Sequence, residues 1–420
     1  MSIRPTPRSH TARWRGGLVV LGVLLLSGNL TMLAPGVRAG TPERSGPPPA
    51  GPPPPKIIPG QYIVKVRPTG QVGQLLTQAG IEPIFVYSRV LNGFAARLTG
   101  RQIINLLRTS DVYSIEEDGA IQELERSLPP EAAGGTGHAV PPARAVPTSS
   151  WGLDRIDQSA LPLDGAYNVA HDGTGVTAYM LGSGIDPAHP EFAGRLIPGV
   201  TTVNDGHGTS DCLGRGTMVA GIVGGATWGV ARNVHLSPVR VVDCDGRGSY
   251  SGLIAGMDWV ASHARRPAVV NISVGGARSF AVNNAANTLA GLGVFIAAAA
   301  GDYAGDACDV SPAAALNVLA VAASTSEDIP APGSDTGRCV GLYAPGSGVV
   351  SAAKGGGTER ASGTAYAAPY VTGAAALFMQ THRDALPYIV NRWLTGNATF
   401  GALRDVPAGT INKLLFTDGL

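Results

Sequence analysis

The order of apolar and polar positions divides the chain into two regions. Between residues 57 and 124, short runs of different periodicity predict the order strand, helix, strand, strand, helix, strand. These runs are QYIVKV, QVGQLLTQAG, IEPIFVYSRV, NGFAARL, RQIINLLRTS and DVYSIEED. The β-α-β-β-α-β order predicts a small α+β domain of the split-βαβ, ferredoxin-like type.

From Trp151 onward, continuous apolar runs alternate with helical ones. The runs are VTAYML, MVAGIVGGA, VHLSPVRVV, the helical SGLIAGMDWVASHA, VVNISV and VFIAAAAG. Strands without polar positions are typical of a parallel sheet that is covered on both faces. We therefore predict an α/β domain with a doubly wound parallel sheet, in which ligands bind beyond the carboxyl ends of the strands.

The beginning of the chain has the features of an export signal. Four arginines precede an apolar run at 18–26, and small residues lead to a cleavage site after Ala39. An uncleaved membrane anchor is the alternative, but this run is shorter than the roughly 20 residues that span a bilayer. We predict a signal peptide at 1–39 and a secreted protein.

Two segments rich in proline, glycine and polar residues separate the remaining parts of the chain. Residues 40–56 include SGPPPAGPPPP, and residues 125–150 have a similar composition without apolar periodicity. Both compositions are typical of linkers. The predicted folded domains are therefore residues 57–124 and 151–420.

Charge and composition exclude some classes of partner. The chain has 31 Lys and Arg against 30 Asp and Glu, for a net charge of +1. Without a basic field we expect no binding to nucleic acid, and none to a membrane after signal cleavage. We expect a monomer.

Export also bears on the cysteines, because disulfides persist in oxidising compartments. Cys212, Cys244, Cys308 and Cys339 allow three pairings, and pairing neighbours would close two loops of almost equal length. A zinc site is not predicted, since no Cys-x-x-Cys or nearby histidine pair occurs.

A series of motifs runs through nearly all of the predicted secreted chain. The motifs are QYIVKV, LNGFAARL, SIEEDG, GIDPAHPEFAGR, DCLGRGTMVAGIVGG, VRVVDC, GSYSGLIAGMDWV, NISVGGA, AAAAGD and ASGTAYAAPYVTGAAAL. In content and order they resemble the subtilisin-like serine proteases of the proteinase K and aqualysin branch. The resemblance implies a peptidase domain at 151–420, an inhibitory propeptide domain at 57–124, and disulfides Cys212–Cys244 and Cys308–Cys339.

The resemblance also locates the positions that carry catalysis in the family, and all four differ here. The family's aspartate, in a sequence like AYVIDTGID, corresponds to Gly182 in AYMLGSGID. The histidine of DCNGHGTHVAG corresponds to Arg215 in DCLGRGTMVAG, and the serine of GTSMATPHVAG to Ala365 in GTAYAAPYVTG. The oxyanion-binding asparagine that follows an AAG run corresponds to Asp302.

These replacements remove the groups that acyl transfer needs. Alanine has no nucleophilic atom, and an arginine that stays protonated cannot accept a proton. An ionised Asp302 would repel a developing oxyanion. We therefore predict no protease activity by the family mechanism, and we expect Asp302 to balance the charge of Arg215.

A relocated triad is the alternative to lost catalysis. His207 lies in DGHGTS, and the changed positions are flanked by Ser183, Asp186, Ser362 and Thr364. A triad requires three groups within hydrogen-bond reach and a pair of oxyanion donors nearby. Because His207 lies in a glycine-rich segment apart from the others, we interpret it as a loop histidine.

The segments that hold a peptide in the family are matched more closely. The resemblance implies peptide binding at Gly246, Gly248, Ser249, Tyr250, Ser273, Val274, Gly275, Gly276, Ala300 and Gly301. Adding a peptide as a β-strand depends on main-chain hydrogen bonds and needs no triad. Alternatively, these glycines serve only turns and sheet edges, and Tyr250 merely packs.

No cofactor is predicted. The family commonly binds calcium, but its acidic ligand position falls at Gly341 and a neighbouring acidic position at Ala315. The Gly-x-Gly at 182–184 precedes prolines rather than a helix, so it does not predict a dinucleotide site.

The favoured hypothesis is a secreted, catalytically dead pseudoprotease. It would bind a peptide or protein through the retained cleft or through the propeptide domain, which should stay docked over the cleft. One alternative is an active serine endopeptidase that uses an unforeseen site. Another is an inhibitor or folding helper that acts on a sibling protease.

Overall fold

A computed structural model describes residues 56–124 and 146–420. The predicted signal peptide and most of both predicted linkers lie outside the described residues. Residues 56–124 are called the N-terminal region below, and residues 146–420 the C-terminal region.

The N-terminal region has the predicted order of strands and helices. Its elements are β1 (Ile57–Val66), α1 (Val72–Ala79), β2 (Pro83–Tyr87), β3 (Gly93–Arg97), α2 (Gly100–Leu107) and β4 (Val112–Glu123). The strands pair antiparallel in the order β4-β1-β3-β2. A capping box of Thr99 and Gln102 begins α2, and Gly80 ends α1 in the left-handed conformation.

The C-terminal region is larger and contains helices on both faces of one main sheet. Its helices are α3 (Trp151–Ile156), α4 (Arg215–Gly224), α5 (Tyr250–His263), α6 (Phe280–Gly291), α7 (Thr364–Thr381) and α8 (Pro387–Asn397), with 3-10 turns at Pro190–Phe192 and Ala307–Asp309. Its strands are β5 (Val146–Pro147), β6 (Ala166–Tyr167), β7 (Thr177–Gly182), β8 (Val200–Thr201), β9 (His235–Arg240), β10 (Arg247–Ser249), β11 (Ala268–Ile272), β12 (Val274–Ala277), β13 (Phe295–Ala299), β14 (Val310–Ser311), β15 (Leu319–Ser324), β16 (Val340–Pro345), β17 (Val349–Ala352), β18 (Thr358–Ala361), β19 (Thr399–Phe400) and β20 (Lys413–Leu414).

The main sheet has nine strands in the order β19-β20-β16-β15-β13-β11-β7-β9-β8. All neighbours are parallel except β19, which is antiparallel to β20. Side chains alternate across it, so Met180 packs in one core with Val371 of α7, and Leu181 packs in the other with Leu253 of α5. The α/β prediction with a doubly wound parallel sheet is confirmed.

Both disulfides implied by the resemblance are confirmed, because Cys212 is bonded to Cys244 and Cys308 to Cys339.

Within the described residues, no helix is long and apolar enough to cross a membrane.

The two regions pack together through buried carboxylates. Asp258 of α5 accepts hydrogen bonds from the backbone N–H groups of Ser88, Arg89 and Val90, at 3.1, 2.6 and 2.9 Å. These donors lie in the turn between β2 and β3. One carboxylate therefore holds this turn of the N-terminal region on helix α5.

Strand β4 supplies two further carboxylates to helix N-termini. Asp118 accepts from the backbone N–H of Ser251 at 3.1 Å, in the first turn of α5. Glu116 accepts from the backbone N–H of Ala281 at 3.0 Å, in the first turn of α6. Because unpaired N–H groups and the helix dipole favour negative charge there, both contacts hold β4 across the ends of the two helices.

Candidate functional site

The end of β4 lies as a strand between two edges of the C-terminal region. Residues 119–124 are called the strap below. Residues 120–122 of the strap pair antiparallel with β10, and residues 122–123 pair antiparallel with β12. The N–H of Glu123 donates to the carbonyl of Gly246 at 3.1 Å, and the N–H of Leu124 to that of Ser273 at 3.4 Å. The predicted peptide cleft thus contains a segment of its own chain.

Glycines allow this close approach. A Cβ on Gly248 would lie 2.2 Å from the carbonyl oxygen of Val241, and one on Gly276 would lie 2.8 Å from that of Ala120 in the strap. Real Cβ atoms do not approach backbone atoms so closely. Gly276 is therefore required by the pairing with the strap, whereas Gly248 is required by the close approach of Val241 in the C-terminal region itself.

Tyr250 packs against the strap rather than covering an open pocket. Its ring lies 2.3 Å from the point that a Cβ on Gly119 would take, so the strap fits here only with glycine. The Tyr250 hydroxyl donates to the carbonyl of Ala277 at 2.7 Å, which fixes the ring beside β12.

Ala300 and Gly301 lie deeper than the paired edges. Ala300 packs in a separate apolar cluster with Tyr343. The N–H of Gly301 donates to Oγ1 of Thr364 at 3.1 Å. Contact of Ala300 or Gly301 with a bound peptide stays a prediction.

The four positions that the resemblance assigns to catalysis lie at the carboxyl ends of strands or the starts of helices. Gly182 ends β7, Arg215 begins α4, Ala365 is the second residue of α7, and Asp302 follows β13. The carbonyl of Ala365 accepts a hydrogen bond from the hydroxyl of Ser273 at 2.9 Å. This contact ties the start of α7 to the edge that holds the strap.

Asp302 lies near the last carbonyl of the strap. Its carboxylate accepts from the backbone N–H of Thr364 at 2.9 Å. A Cβ on Gly363 would lie 3.0 Å from Asp302 Oδ2 and 3.4 Å from the Leu124 carbonyl oxygen. A carboxylate supplies acceptors to this place rather than an N–H donor. The expected pairing of Asp302 with Arg215 stays a prediction.

Glu123 is the site residue that the sequence analysis missed. Its side chain is buried, and its Oε1 lies 3.5 Å from the point that a Cβ on Gly182 would take. It therefore reaches from the strap to the position that the resemblance assigns to the family's aspartate. The pocket around it is lined by Met180, Leu181, Gly182, Gly184, Gly216, Val219, Asn271 and Ser273.

Burial dominates the electrostatics of this carboxyl. It raises the pKa of Glu123 to about 8, although the positive charge of Arg215 and hydrogen bonding from Ser183 lower the pKa and the charge of Asp211 raises it further. Desolvation disfavours the ionised form of a carboxyl more than one nearby cation favours it here. Glu123 is therefore mainly neutral in the docked strap at pH 7.

Glu123 was missed because the last strand was predicted to end too early. The pattern DVYSIEED ends at Asp118, whereas β4 continues to Glu123. Gly119 interrupts the pattern, and the continuation is stabilised by pairing with β10 and β12, which are distant in sequence. The alternation of apolar Ile121 with polar Gln122 was the only local signal.

The groups considered for a relocated triad have other contacts. Asp186 accepts from the backbone N–H of Gly355 at 2.8 Å, and the Ser183 hydroxyl accepts from that of Gly216 at 2.9 Å. His207 is exposed on a loop near the sulfurs of Cys212 and Cys244. Those sulfurs share a disulfide, so they are not thiolate ligands for a metal.

The residues at the family's calcium position do not fit that ion. Gly341 has no side chain, and a Cβ there would lie 2.3 Å from Cδ1 of Leu319. Ala315 is buried and offers no side-chain oxygen. Calcium prefers oxygen ligands, so we derive no role for it at this position.

Comparison with known proteins identifies the family. Residues 173–416 match the model of the subtilase family. The chain is 39% identical to an extracellular serine proteinase of Thermus sp. (strain Rt41A), over 96% of this chain and 99% of that protein. It is 41% identical to alkaline serine exoprotease A of Vibrio alginolyticus, over 80% of this chain but only 60% of that protein's length.

A solved structure agrees with this assignment. The crystal structure of a cold adapted subtilisin-like serine proteinase is 43% identical, with a TM-score of 0.63, over 66% of this chain and 99% of that one. The chain belongs to the subtilase family, whose fold is the subtilisin-like α/β fold described above.

Proposed function

We propose that this subtilase-family chain is a secreted pseudoprotease, which binds polypeptide in its cleft as an added β-strand and does not cleave it. The observation that carries the proposal is the strap. It pairs with β10 and β12 and ends beside the four replaced catalytic positions. The cleft therefore binds an extended segment at the place where the family cleaves one.

The side chains at the site support the loss of catalysis. Ala365 offers no hydroxyl to attack a carbonyl, and Arg215 offers no basic nitrogen to accept a proton. In subtilisin, a member of this same family, loss of the serine or the histidine alone lowers turnover by about 10⁶-fold. Catalysis by the family mechanism should therefore be absent.

Retained binding is supported by the nature of the contacts. The strap is held by backbone N–H and carbonyl groups of residues 246–249 and 273–275, which any peptide can meet. Docking of the N-terminal region adds the carboxylates of Asp258, Glu116 and Asp118. The strap is therefore an intramolecular occupant that a second polypeptide must displace.

Secretion is supported by the signal-like residues 1–39 and by a relative. The Thermus protein that matches 96% of this chain is named an extracellular serine proteinase. A secreted chain would also favour the two disulfides.

The test is reaction of the purified full chain with a fluorophosphonate probe and with fluorogenic peptide substrates. An active subtilase at the same concentration is the control. We expect neither labelling nor hydrolysis above the level of a heat-denatured sample. Labelling at any residue of the chain would instead support an active serine endopeptidase with an unforeseen site.

An inhibitor acting in trans is the second candidate, and one observation favours it. The N-terminal region has its own apolar core, which includes Val64, Phe94 and Leu106. A unit of this kind could dock on a sibling protease by the same contacts. Adding the full chain to an active subtilase tests this, and inhibition that rises with concentration is the expected result.

A further inference from the structure

We propose that the replaced catalytic positions form a pocket for one glutamate side chain of the bound polypeptide. The cleft would then select segments in which glutamate, at the place of Glu123, precedes an apolar residue. This inference rests on the proposed function, since it names the ligand of the same cleft.

Space for the carboxyl comes from the loss of a side chain. Glu123 Oε1 lies 3.5 Å from the Cβ position at Gly182, so a carboxylate attached there would meet the glutamate directly. Two carboxylates that share a buried site repel each other. The glycine thus leaves room for the glutamate side chain and avoids a second carboxyl in the same buried site.

Charge at the pocket disfavours a basic group more than an acidic one, which docks mainly as the neutral acid at pH 7. Arg215 and Ser183 both lower the pKa of the Glu123 carboxyl, but burial outweighs them, and Oε1 has no hydrogen-bond partner among the described residues. A histidine at 215 would be neutral or charged according to pH, whereas arginine is always a cation. A lysine in the place of Glu123 would be repelled by this fixed charge.

The shape of the pocket also limits which side chains can be bound. With Glu123 in place, the pocket keeps a cavity of only about 10 Å³, which holds no more than one water. The next residue, Leu124, is 2% exposed and packs in the main apolar core, with its Cδ1 3.0 Å from the Cβ position at Gly275. The bound segment therefore presents a carboxyl and then an apolar side chain.

The first experiment tests the pocket in the full chain by hydrogen exchange of the strap amides. The variants are Glu123→Met, which keeps the length of the side chain, and Glu123→Lys. Glu117→Lys is the matched control, because Glu117 lies on the same strand but is exposed. At pH 4.5, where docking the carboxyl costs little, we expect protection of the strap to fall at least about thirtyfold in Glu123→Lys, less in Glu123→Met, and not in the control.

Unchanged protection in Glu123→Lys, or an equal loss in Glu117→Lys, would overturn the inference that this pocket selects the side chain at position 123. Exchange in β7 and β11 of the main sheet reports whether each variant is folded, so that unfolding is not mistaken for release of the strap. If Glu123→Lys does not fold, Glu123→Met provides the same comparison.

The second experiment tests selection in trans, with the Glu123→Lys chain as the opened protein. The probes are synthetic peptides of the sequence VYSIEEDGAIQEL, with Glu, Met or Lys at the place of Glu123. At pH 4.5, the ordinary pKa of the free carboxyl, we expect the Glu peptide to bind at least about tenfold more tightly than the Lys peptide, with the Met peptide between them. Equal binding of all three would overturn the inference and leave the proposed function intact.

A different result would contradict the proposed function. If the strap opens as expected in Glu123→Lys and no peptide binds, the cleft does not take polypeptide in trans. The glutamate pocket would then be supported for the chain's own strap alone.

Discussion

Two parts of the same cleft differ in what they require of the sequence. The resemblance assigns catalysis to the positions of Gly182, Arg215, Ala365 and Asp302, and it predicts that all four family residues are replaced. A few residues away, β10 and β12 still pair with an extended strand through backbone groups and closely packed glycines. Strand pairing tolerates most side chains, whereas acyl transfer needs particular atoms at particular places. A binding cleft can therefore outlast the catalyst beside it.

The paired edges and the positions assigned to catalysis are physically linked. Glu123 is held by the paired edges through its backbone, while its side chain occupies the space beside Gly182. A glycine at the position that the resemblance assigns to the aspartate therefore bears on which side chain the paired strand can carry there. Changing one part and measuring the other tests this link, from the largest expected effect to the smallest.

Restoring the catalytic positions should produce the largest change. The variant is Gly182→Asp, Arg215→His, Ala365→Ser and Asp302→Asn together, with Glu123→Ala to remove the carboxyl beside position 182. We expect self-cleavage directly after Leu124 or within residues 125–145, at a rate at least about a thousandfold above that of the parent chain. Mass spectrometry measures it, and the same variant with Ala365 unchanged is the control.

No cleavage in a folded restored chain would show that the site differs from the family's at further positions. Cleavage in the Ala365 control would show that another group acts as nucleophile.

Raising the pH should weaken the strap. The ordinary carboxyl pKa of 4.5 applies when the strap is released, and burial raises the pKa of Glu123 to about 8 when it is docked. Docking therefore takes up a proton. Its stability is greatest below pH 4.5 and falls as the pH rises towards 8, by up to about tenfold per pH unit.

The groups that face Glu123 do not reverse this trend. Arg215 stays charged throughout, and burial raises the pKa of Tyr366 well above this range. The remaining neighbours are the Asp211 carboxylate and the Ser183 hydroxyl. Strap exchange, corrected for intrinsic rates, measures the effect in the parent chain and in Glu123→Gln, which should show a flat profile. Strap protection that increases with pH would contradict a raised pKa for the buried Glu123 carboxyl.

Removing the Asp258 carboxylate should loosen the N-terminal region. Asp258→Ala leaves the N–H groups of Ser88, Arg89 and Val90 without their acceptor, so we expect docking to weaken by about 2–4 kcal/mol. Hydrogen exchange at residues 88–90 measures this change. Glu117→Ala, which removes an exposed carboxylate, should have no effect, and an equal loss there would contradict the assignment.

Two substitutions at position 182 should give the smallest effect and the sharpest contrast. Gly182→Ala places a methyl group at an ordinary contact distance of 3.5 Å from Glu123 Oε1, so strap protection should hardly change. Gly182→Asp adds a carboxylate there and should reduce protection about tenfold at pH 7. If the two variants behave alike, Glu123 does not occupy the place of the family's aspartate.

Most of the fold could be predicted from the sequence, because the strands of the main sheet are continuous apolar runs. VTAYML and VFIAAAAG correspond to β7 and β13, and the order of elements in residues 57–124 was also predicted. The run MVAGIVGGA lies largely in α4, which packs between the sheet and β17.

The candidate site was predicted only in part. The four positions assigned to catalysis come from motifs that are local in sequence, and their catalytic correspondence stays a prediction. Glu123 was not, since its position depends on β4 extending between two strands that lie more than a hundred residues further along the chain. Neither its burial nor its proximity to Gly182 has a local signal.

The most direct test of the central claim is the intact mass of the purified secreted chain, followed over days with host proteases inhibited. A bound strap beside a site without catalytic groups predicts a constant mass that corresponds to a chain beginning near residue 40. Spontaneous cutting between residues 125 and 145, at a rate independent of inhibitors of contaminating proteases, would show that the chain is an active protease.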